Sequence, residues 1–218
     1  MTNPSDLPEL PLFPLHTVLF PQGKLPLRIF EVRYLDMVRK RHQDGLPFGV
    51  VTLTSGQEVR TAEGETERFY TVGTLAHITQ LQSAQPGLLH IQCVGQSRFQ
   101  IVRFRQLPYG LWVADAQRMQ DDQAIAIPPD LQGTSETLAH VLHNLHLRQT
   151  QHEDRVPQGD AIALPTQAQL SDCSWVANRW CELLPIPTTL KQQLLELDSP
   201  LLRLELVSDV LERTGIAF

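Results

Sequence analysis

The chain has 218 residues, of which 42% are hydrophobic and 19% are charged, and its formal net charge is -6. A globular chain of this length buries about 70 to 75% of the surface that its unfolded form exposes, so its core needs neither disulfides nor metals. One domain with a satellite subdomain is the expected organisation. The acidic balance disfavours a general nucleic-acid binder, because neutralising phosphates requires a surplus of Lys and Arg on one face.

The three cysteines, Cys93, Cys173 and Cys181, are odd in number and widely spaced, which fits neither a disulfide framework nor a zinc site. No apolar run approaches the roughly 20 residues that a membrane span needs. Asp6 and Glu9 stand where a signal peptide would be basic. We therefore expect a soluble cytoplasmic protein that has no cofactor and no membrane partner.

The first segment combines apolar residues with prolines at positions 8, 11, 14, 21 and 26. Proline is excluded from helix interiors and restricts the residue before it, so this segment is predicted to form short, irregular strands. A turn is predicted at residues 21–23, with Gly23 available for a positive φ.

Residues 31–44 change to a helical period, in which Tyr34, Leu35 and Val38 share one face. Arg33 and the later basic residues are expected to face water for the most part. Glu31 lies near the predicted helix start and Gly45 suits its end. A buried strand is predicted at 47–54, followed by a mobile polar loop at 55–68.

Three strand-like runs follow at 70–81, 88–94 and 98–107, separated by predicted turns at 85–87 and 95–97. Leu89, Ile91 and Cys93 alternate with polar residues, as in a half-buried strand. A fourth run covers 111–119. Short strands joined by tight turns, with one inserted helix, predict an α+β fold that begins with a partly closed antiparallel β-barrel over residues 1–122.

The spacing of apolar residues becomes helical after Pro128-Pro129, since Leu138, Val141, Leu142 and Leu145 fall on one face. Residues 149–169 are expected to form a loop. Helices are predicted at 171–184, 188–197 and 200–213, the last with Ser199 as N-cap, Pro200 at the first helical position and Gly215 as the stop. Residues 123–218 are thus predicted to form a small helical bundle.

Several segments of the chain have a specific order of Pro, aromatic, glycine and charged residues. They are Leu10-Pro11-Leu12-Phe13-Pro14-Leu15, Val18-Leu19-Phe20-Pro21, Leu27-Arg28-Ile29-Phe30-Glu31 with Arg33-Tyr34, Phe48-Gly49-Val50-Val51, Val72-Gly73-Thr74-Leu75-Ala76-His77-Ile78, Gly95-Gln96-Ser97-Arg98-Phe99, Leu183-Leu184-Pro185 and Lys191-Gln192-Gln193-Leu194-Leu195-Glu196. Together these segments resemble the N-terminal, substrate-binding domain of Lon proteases. The resemblance implies a PUA-like β-barrel, a helical bundle and a role in handling protein substrates. A Lon protease would continue into ATPase and Ser-Lys peptidase domains, whereas this sequence ends at Phe218.

The motifs of those two enzymatic domains are not found in the sequence. The only Gly-Lys pair, Gly23-Lys24, is followed by Leu25 rather than Ser or Thr, so it cannot form a Walker-type phosphate loop. None of Lys24, Lys40 and Lys191 lies in the context of a Ser-Lys dyad, and no Gly-x-Ser-x-Gly elbow occurs. We therefore expect a non-catalytic module whose partners are polypeptides or unfolded protein segments, with a protease or chaperone as a candidate partner.

Two alternative functions remain open. The first is an enzyme of unrecognised type, which the resemblance to Lon would label a peptidase. The second is RNA binding. Arg98, Arg103 and Arg105 with Phe99 and Phe104 mix cations and aromatic rings on one strand, which would suit an RNA-binding PUA-like protein.

A metal site is the other minor hypothesis. His140, His143 and His146 step along a helix, with His152 and Glu153 beyond them, but three-residue steps drift around a helix and match no other ligand cluster. A polar helix face beside a Gln-rich loop is the interpretation that we favour, so no metal site is predicted.

The candidate binding residues cluster where strand meets helix and in the Gly-x-x-Arg-Phe segment. They are Phe20, Arg28, Phe30, Glu31, Arg33, Tyr34, Arg98 and Phe99. Arg28, Glu31 and Arg33 have two interpretations: they cap the helix and form ion pairs that hold it in place, which we favour, or they flank a groove for an exposed peptide. Trp175 and Trp180 are assigned to the bundle core.

Overall fold

The computed structural model describes residues 6–59, 66–150 and 163–215. The chain divides into two compact units, Met1–Asp121 and Asp122–Phe218, which we call the β unit and the helical unit. Parts of the predicted loops at 55–68 and 149–169, together with His152 and Glu153, lie outside the described residues.

The β unit contains a mixed six-stranded sheet and one inserted helix, which confirms the predicted α+β class. The elements are β1 (Asp6–Leu15), β2 (Lys24–Ile29), α1 (Val32–Asp44), β3 (Phe48–Ser55), β4 (Arg68–Gln85), β5 (Leu88–Gln106) and β6 (Trp112–Arg118). The strand order is β2-β5-β4-β3-β1-β6, and β5 also pairs with β6. The sheet is therefore partly ring-like.

One strand pair differs from the antiparallel arrangement that the sequence predicts. β1 and β3 run parallel, with Leu12 opposite Gly49 and Leu15 opposite Thr52. The connection between them contains β2 and α1, and a crossover of that length is what a parallel pair requires. The first six residues of β3 are all buried, in agreement with the predicted buried strand.

The predicted turn at residues 95–97 is wrong, because these residues lie inside the single long strand β5. Gly95 serves close packing instead of a turn: a Cβ there would collide with the carbonyl oxygen of Phe20. The Gly95 N–H donates to the carbonyl of Gly23, and its own carbonyl accepts from Gln22 N–H at 2.7 Å. A small residue at a backbone contact and one at a turn look alike in a sequence.

The predicted turn at 21–23 is present, but its left-handed residue is Gln22, with φ of +63°. The predicted turn at 85–87 is also present, and here the glycine does take a positive φ, +80° at Gly87. In β5 the alternation of buried Leu89, Ile91 and Cys93 with less buried neighbours confirms the half-buried strand.

Helix α1 packs one face onto the core of the β unit. Tyr34 and Val38 are buried, and the Tyr34 ring stacks on Phe13 with centroids 4.0 Å apart. Gly45 ends the helix in the left-handed conformation, with φ of +65°, and its N–H reaches the carbonyls of the last turn. This confirms the predicted C-terminus.

Arg33 departs from the prediction that it faces water, since it is only 8% exposed. Its guanidinium donates to Glu31 Oε2 and to Glu67 Oε1, each at 3.0 Å, and to the Gly110 carbonyl at 3.0 Å. It therefore links α1 to the β5–β6 turn and to the residue preceding β4. The predicted ion pair between Arg33 and Glu31 is present. Glu31 is the N-cap residue of α1, but its side chain makes no capping hydrogen bond.

The helical unit consists of five α-helices and one short 3-10 helix among its described residues. The elements are the 3-10 helix (Pro129–Leu131), α2 (Gln132–Thr150), α3 (Gln167–Leu170), α4 (Cys173–Leu183), α5 (Thr188–Glu196) and α6 (Pro200–Arg213). Ser199 caps α6 as predicted, accepting from Leu202 N–H. The short helix α3 overlaps the end of the predicted 149–169 loop, and Thr166 and Gln169 form a capping box at its start.

A buried ionic network organises the helical unit. The Arg203 guanidinium donates to Asp122 Oδ2 at 2.5 Å and to Asn178 Oδ1 at 3.1 Å, and Arg203 Nε donates to the Leu194 carbonyl. Ser174 Oγ donates to the same Asp122 oxygen at 2.7 Å. Trp175 and Trp180 are buried in this unit, as the core assignment requires.

Among the described helices, none combines the length and hydropathy of a membrane span.

Candidate functional site

A groove of about 900 Å³ runs along α1 in the β unit. One wall is the outer side of α1, and the others come from β1, β6 and the β5–β6 turn. The lining residues are Glu9, Pro11, Val32, Arg33, Asp36, Met37, Lys40, Arg41, Asp44, Leu46, Leu107, Tyr109, Leu111 and Val113. We call it the α1 groove.

Large apolar side chains stand open to solvent in the α1 groove. Val32 is 78% exposed, Tyr109 63% and Leu46 47%. Beneath them lie Met37 and Leu111, which are buried and continuous with the core of the β unit. A groove with an apolar floor and exposed apolar edges is typical of a site that binds apolar groups of a ligand or partner protein.

The charged residues of the groove carry both signs. Arg33 forms ion pairs with Glu31 and Glu67, so its charge is neutralised within the protein and it stabilises the wall of the groove. Lys40 and Asp44 are exposed along the outer side of α1. Burial lowers the pKa of Arg41, against the opposing effect of Asp44. The groove thus has no single-sign charge and its apolar surface dominates what it can bind.

Glu9, which lines the groove, has a strained backbone conformation. Its φ is +51°, at an irregularity in the pairing of β1 with β6. Its N–H donates to Asp115 Oδ1 at 3.1 Å, and its carboxylate accepts from Arg105 Nη2 at 2.7 and 2.9 Å. A left-handed conformation costs a non-glycine residue about 1 to 2 kcal/mol, so these contacts hold the bulge against strain.

The structure separates the predicted binding residues into accessible and buried groups. Arg28 and Phe30 are exposed and Glu31 is half-buried, at the β2–α1 corner shortly before Val32 in the chain. The other five side chains are buried in the β unit: Phe20, Arg33, Tyr34, Arg98 and Phe99. Of the eight, only Arg33 lines the α1 groove. Ligand binding by the accessible residues stays a prediction.

Sequence reasoning missed Val32, Leu46 and Tyr109, the exposed apolar edges of the groove. A weak indication was available, because Tyr109 lies in a Pro-Tyr-Gly turn and Leu46 follows the glycine that ends α1. Large apolar residues at such positions have no core to enter. That these three positions border one groove follows only from the packing of α1 beside the β5–β6 turn.

The cations and aromatic rings on β5 have partners within the β unit, although Arg103, Phe104 and Arg105 remain exposed. Arg98 is buried, Arg103 Nε donates to Asp115 Oδ2 at 2.5 Å, and Arg105 is paired with Glu9. Phe104 packs against Phe69 and Trp112, with centroids 5.1 and 5.6 Å apart. Arg98 is thus inaccessible, and Arg103 and Arg105 are each paired with a carboxylate, which weakens the basis for phosphate binding.

Nucleophile and metal chemistry find little support among the described residues. No group of three His, Cys, Asp or Glu side chains within the described part of the chain could hold a metal ion. Burial raises the pKa of Cys93 to about 12 and that of Cys181 to about 12, so both remain thiols at neutral pH. Burial also raises the pKa of Cys173, to about 11.

Residues 9–213 match the family model of the ATP-dependent protease La (LON) substrate-binding domain. The chain belongs to this family. The match includes all of α1, the groove beside it and the described helices of the helical unit. The family resemblance inferred from the sequence segments is thereby confirmed.

Curated Lon proteases match the chain over most of its length. Lon protease 2 of Herpetosiphon aurantiacus is 29% identical over 207 residues, which are 94% of this chain and 24% of that protein. Lon protease of Anaeromyxobacter dehalogenans is 25% identical over 221 residues, which are 98% of this chain and 24% of that protein. The chain thus spans about a quarter of the length of these relatives.

Solved structures of Lon N-terminal domains have the same fold. The Lon N-terminal domain protein from Xanthomonas campestris has a TM-score of 0.64 and 28% identity, covering 93% of this chain and 98% of that one. The N-terminal domain of Mycobacterium avium complex Lon protease has a TM-score of 0.55, covers 92% and 96%, and at 17% identity supports the fold alone.

Proposed function

We propose that this member of the Lon substrate-binding domain family binds polypeptide segments, and that apolar side chains of the bound segment enter the α1 groove. The observation that carries the proposal is the exposure of Val32, Tyr109 and Leu46 around an apolar floor. Burying such side chains against a ligand contributes about 25 cal/mol for each Å² of apolar surface removed from water.

The expected ligand is an unfolded or exposed segment with few charges, because the charged residues of the groove carry both signs and Arg33 is internally paired. Arg28 and Phe30 are exposed shortly before Val32 in the chain and would extend the same surface toward the β2–α1 corner. A protease or chaperone is a candidate partner that would receive the bound polypeptide. The cytoplasmic location belongs to the same proposal.

The test is titration of the chain into a fluorescently labelled, unfolded polypeptide such as β-casein, followed by anisotropy. Tyr109→Ser and Leu46→Ser should each weaken binding about tenfold, equivalent to about 1.4 kcal/mol. Phe30→Ser tests whether the surface continues past Val32. Val102→Ser is the matched control, since Val102 is 64% exposed in the same unit but does not line the groove.

Equal affinity in Tyr109→Ser, Leu46→Ser and Val102→Ser would exclude the α1 groove as the binding surface. Binding of a single-stranded RNA oligonucleotide without any binding of casein would support the RNA alternative instead. Casein that is cleaved during the titration, with cleavage lost on substitution of a groove residue, would support the peptidase alternative.

A further inference from the structure

Helix α6 of the helical unit presents an apolar stripe to solvent. Leu202 is 42% exposed and Leu206 is 39% exposed, one helical turn apart, and Val210 is half-buried one turn further on. The opposite side of α6 is buried and contains Leu204, Val207 and Leu211. At 100° per residue the three outward residues fall within about 80° of each other, so they form one continuous stripe.

An acidic stripe runs beside the apolar one on the same exposed side of α6. Glu205, Asp209 and Glu212 are all exposed, and helical spacing places them within about 60° of each other. The wider charge distribution agrees with this local pattern. The helical unit, residues 122–218, contains six Lys and Arg against thirteen Asp and Glu, a net charge of -7, whereas residues 1–121 have a net charge of +1.

We infer that the outer face of α6 docks an amphipathic helix of a partner polypeptide, with apolar residues along one side of that helix and Lys or Arg along the other. Parallel apolar and acidic stripes along the 14-residue helix α6 match a partner helix whose apolar residues recur every three or four positions. The basic side of the partner would face Glu205, Asp209 and Glu212, and its apolar side would cover Leu202 and Leu206.

A second copy of this chain fits the face less well. Two copies would bring their acidic stripes together along with their leucines, and like charges across an interface are unfavourable. Nucleic acid is disfavoured by the same three carboxylates. This docking face belongs to the helical unit, and its test uses residues different from those of the α1 groove.

The test is anisotropy titration of the full chain against a labelled 14-residue amphipathic peptide of leucine and lysine, with the leucine–glutamate counterpart as the second probe. The unsubstituted chain should bind the leucine–lysine peptide at least tenfold more tightly than the counterpart. The Leu202→Ser/Leu206→Ser variant should lose at least tenfold in affinity for the leucine–lysine peptide. Leu147→Ser, at an exposed leucine of α2, should not.

Charge reversal separates specific docking from general attraction to an acidic protein. Glu205→Lys/Asp209→Lys should move the preference toward the leucine–glutamate peptide, while Glu136→Lys on α2 should leave the preference unchanged. Circular dichroism confirms that each variant keeps its helices. The control residues Leu147 and Glu136 lie on α2, so they belong to the same unit as the tested α6 residues but not to the same face.

Three results would overturn the inference. The first is equal loss of affinity in the α6 and α2 variants, which would indicate a nonspecific interaction with the helical unit. The second is the absence of any preference between the two peptides. The third is a concentration-dependent dimer in sedimentation that Leu202→Ser/Leu206→Ser abolishes, because the face would then be an interface between copies.

Discussion

Arg33 shows how one side chain connects the candidate site to the fold. It is a buried cation held by Glu31, Glu67 and the Gly110 carbonyl, and it also packs on the Tyr34 ring, 4.6 Å from the centroid. These contacts fix α1 against the β5–β6 turn, and the α1 groove lies between those two elements. Arg33 therefore positions the walls of the groove rather than its ligand.

Replacing Arg33 by Met should destabilise the protein by about 3 to 5 kcal/mol, because the Glu67 carboxylate would be left buried without its cation. Urea unfolding followed by tryptophan fluorescence measures the change. Arg39→Met is the control and should cost about 0 to 1 kcal/mol, since its pair with Asp36 is exposed. Arg33→Met/Glu67→Gln should recover part of the loss; a double variant no more stable than Arg33→Met would contradict the assignment.

Glu67 makes the same contact dependent on pH. Burial alone would raise the pKa of Glu67, but its own backbone N–H and the Arg33 guanidinium outweigh burial and hold the pKa below the ordinary value. The charged form is thus favoured in the folded state, so the contribution to stability is present above the unfolded pKa of about 4.3 and is lost as the pH falls through the folded pKa.

The free energy of unfolding should therefore decrease more steeply below about pH 4.3 in the unsubstituted chain than in Glu67→Gln. Urea unfolding at a series of pH values measures both slopes. Identical slopes in the two proteins would show that Glu67 does not contribute to acid sensitivity.

At the scale of elements, most helices and strands follow from local patterns. The period of residues 31–44, the glycine at 45 and the Ser199-Pro200 pair predict the bounds of α1 and α6 to within a residue. These features act through nearby backbone atoms, so the sequence contains them directly. The local pattern instead predicts two strands where the structure has the single strand β5, because the close contact that requires Gly95 is made with Phe20, which is distant in sequence.

Gly95→Ala should destabilise the β unit by about 2 to 3 kcal/mol, since its Cβ would collide with the backbone carbonyl of Phe20, which cannot move aside as a side chain can. Gly87→Ala is the matched control in a true turn, with open space around the Cβ and a strained positive φ, and should cost about 1 kcal/mol. Thermal unfolding compares the two. A smaller loss in Gly95→Ala than in Gly87→Ala would contradict the packing role of Gly95.

At the scale of the whole molecule, the two units differ in composition as well as in architecture. The β unit is close to neutral and contains the apolar α1 groove, whereas the helical unit is strongly acidic. Each unit contains a buried arginine, Arg33 in the β unit and Arg203 in the helical unit, whose guanidinium donates hydrogen bonds to several partners distant in sequence. Buried arginines of this kind are satisfied only when every surrounding element is in place.

Arg203→Met should destabilise the helical unit by about 3 to 5 kcal/mol, because Asp122 would lose its ion pair in a buried setting and Asn178 would lose its donor. Fluorescence in a Trp112→Phe background reports only Trp175 and Trp180, both in the helical unit. The exposed Arg213→Met should change the midpoint little. An unchanged urea midpoint in Arg203→Met would show that the network is not required for stability.

The family resemblance, the α+β class and most element bounds can be predicted from the sequence, because motifs, periodicity, caps and turns depend on neighbours along the chain. The burial of individual polar residues, the need for glycine at position 95 and the common groove of Val32, Leu46 and Tyr109 become visible only in the folded protein. Those properties depend on contacts between residues far apart in sequence. A surface for binding is such a property, since it exists only where separate elements leave apolar side chains uncovered.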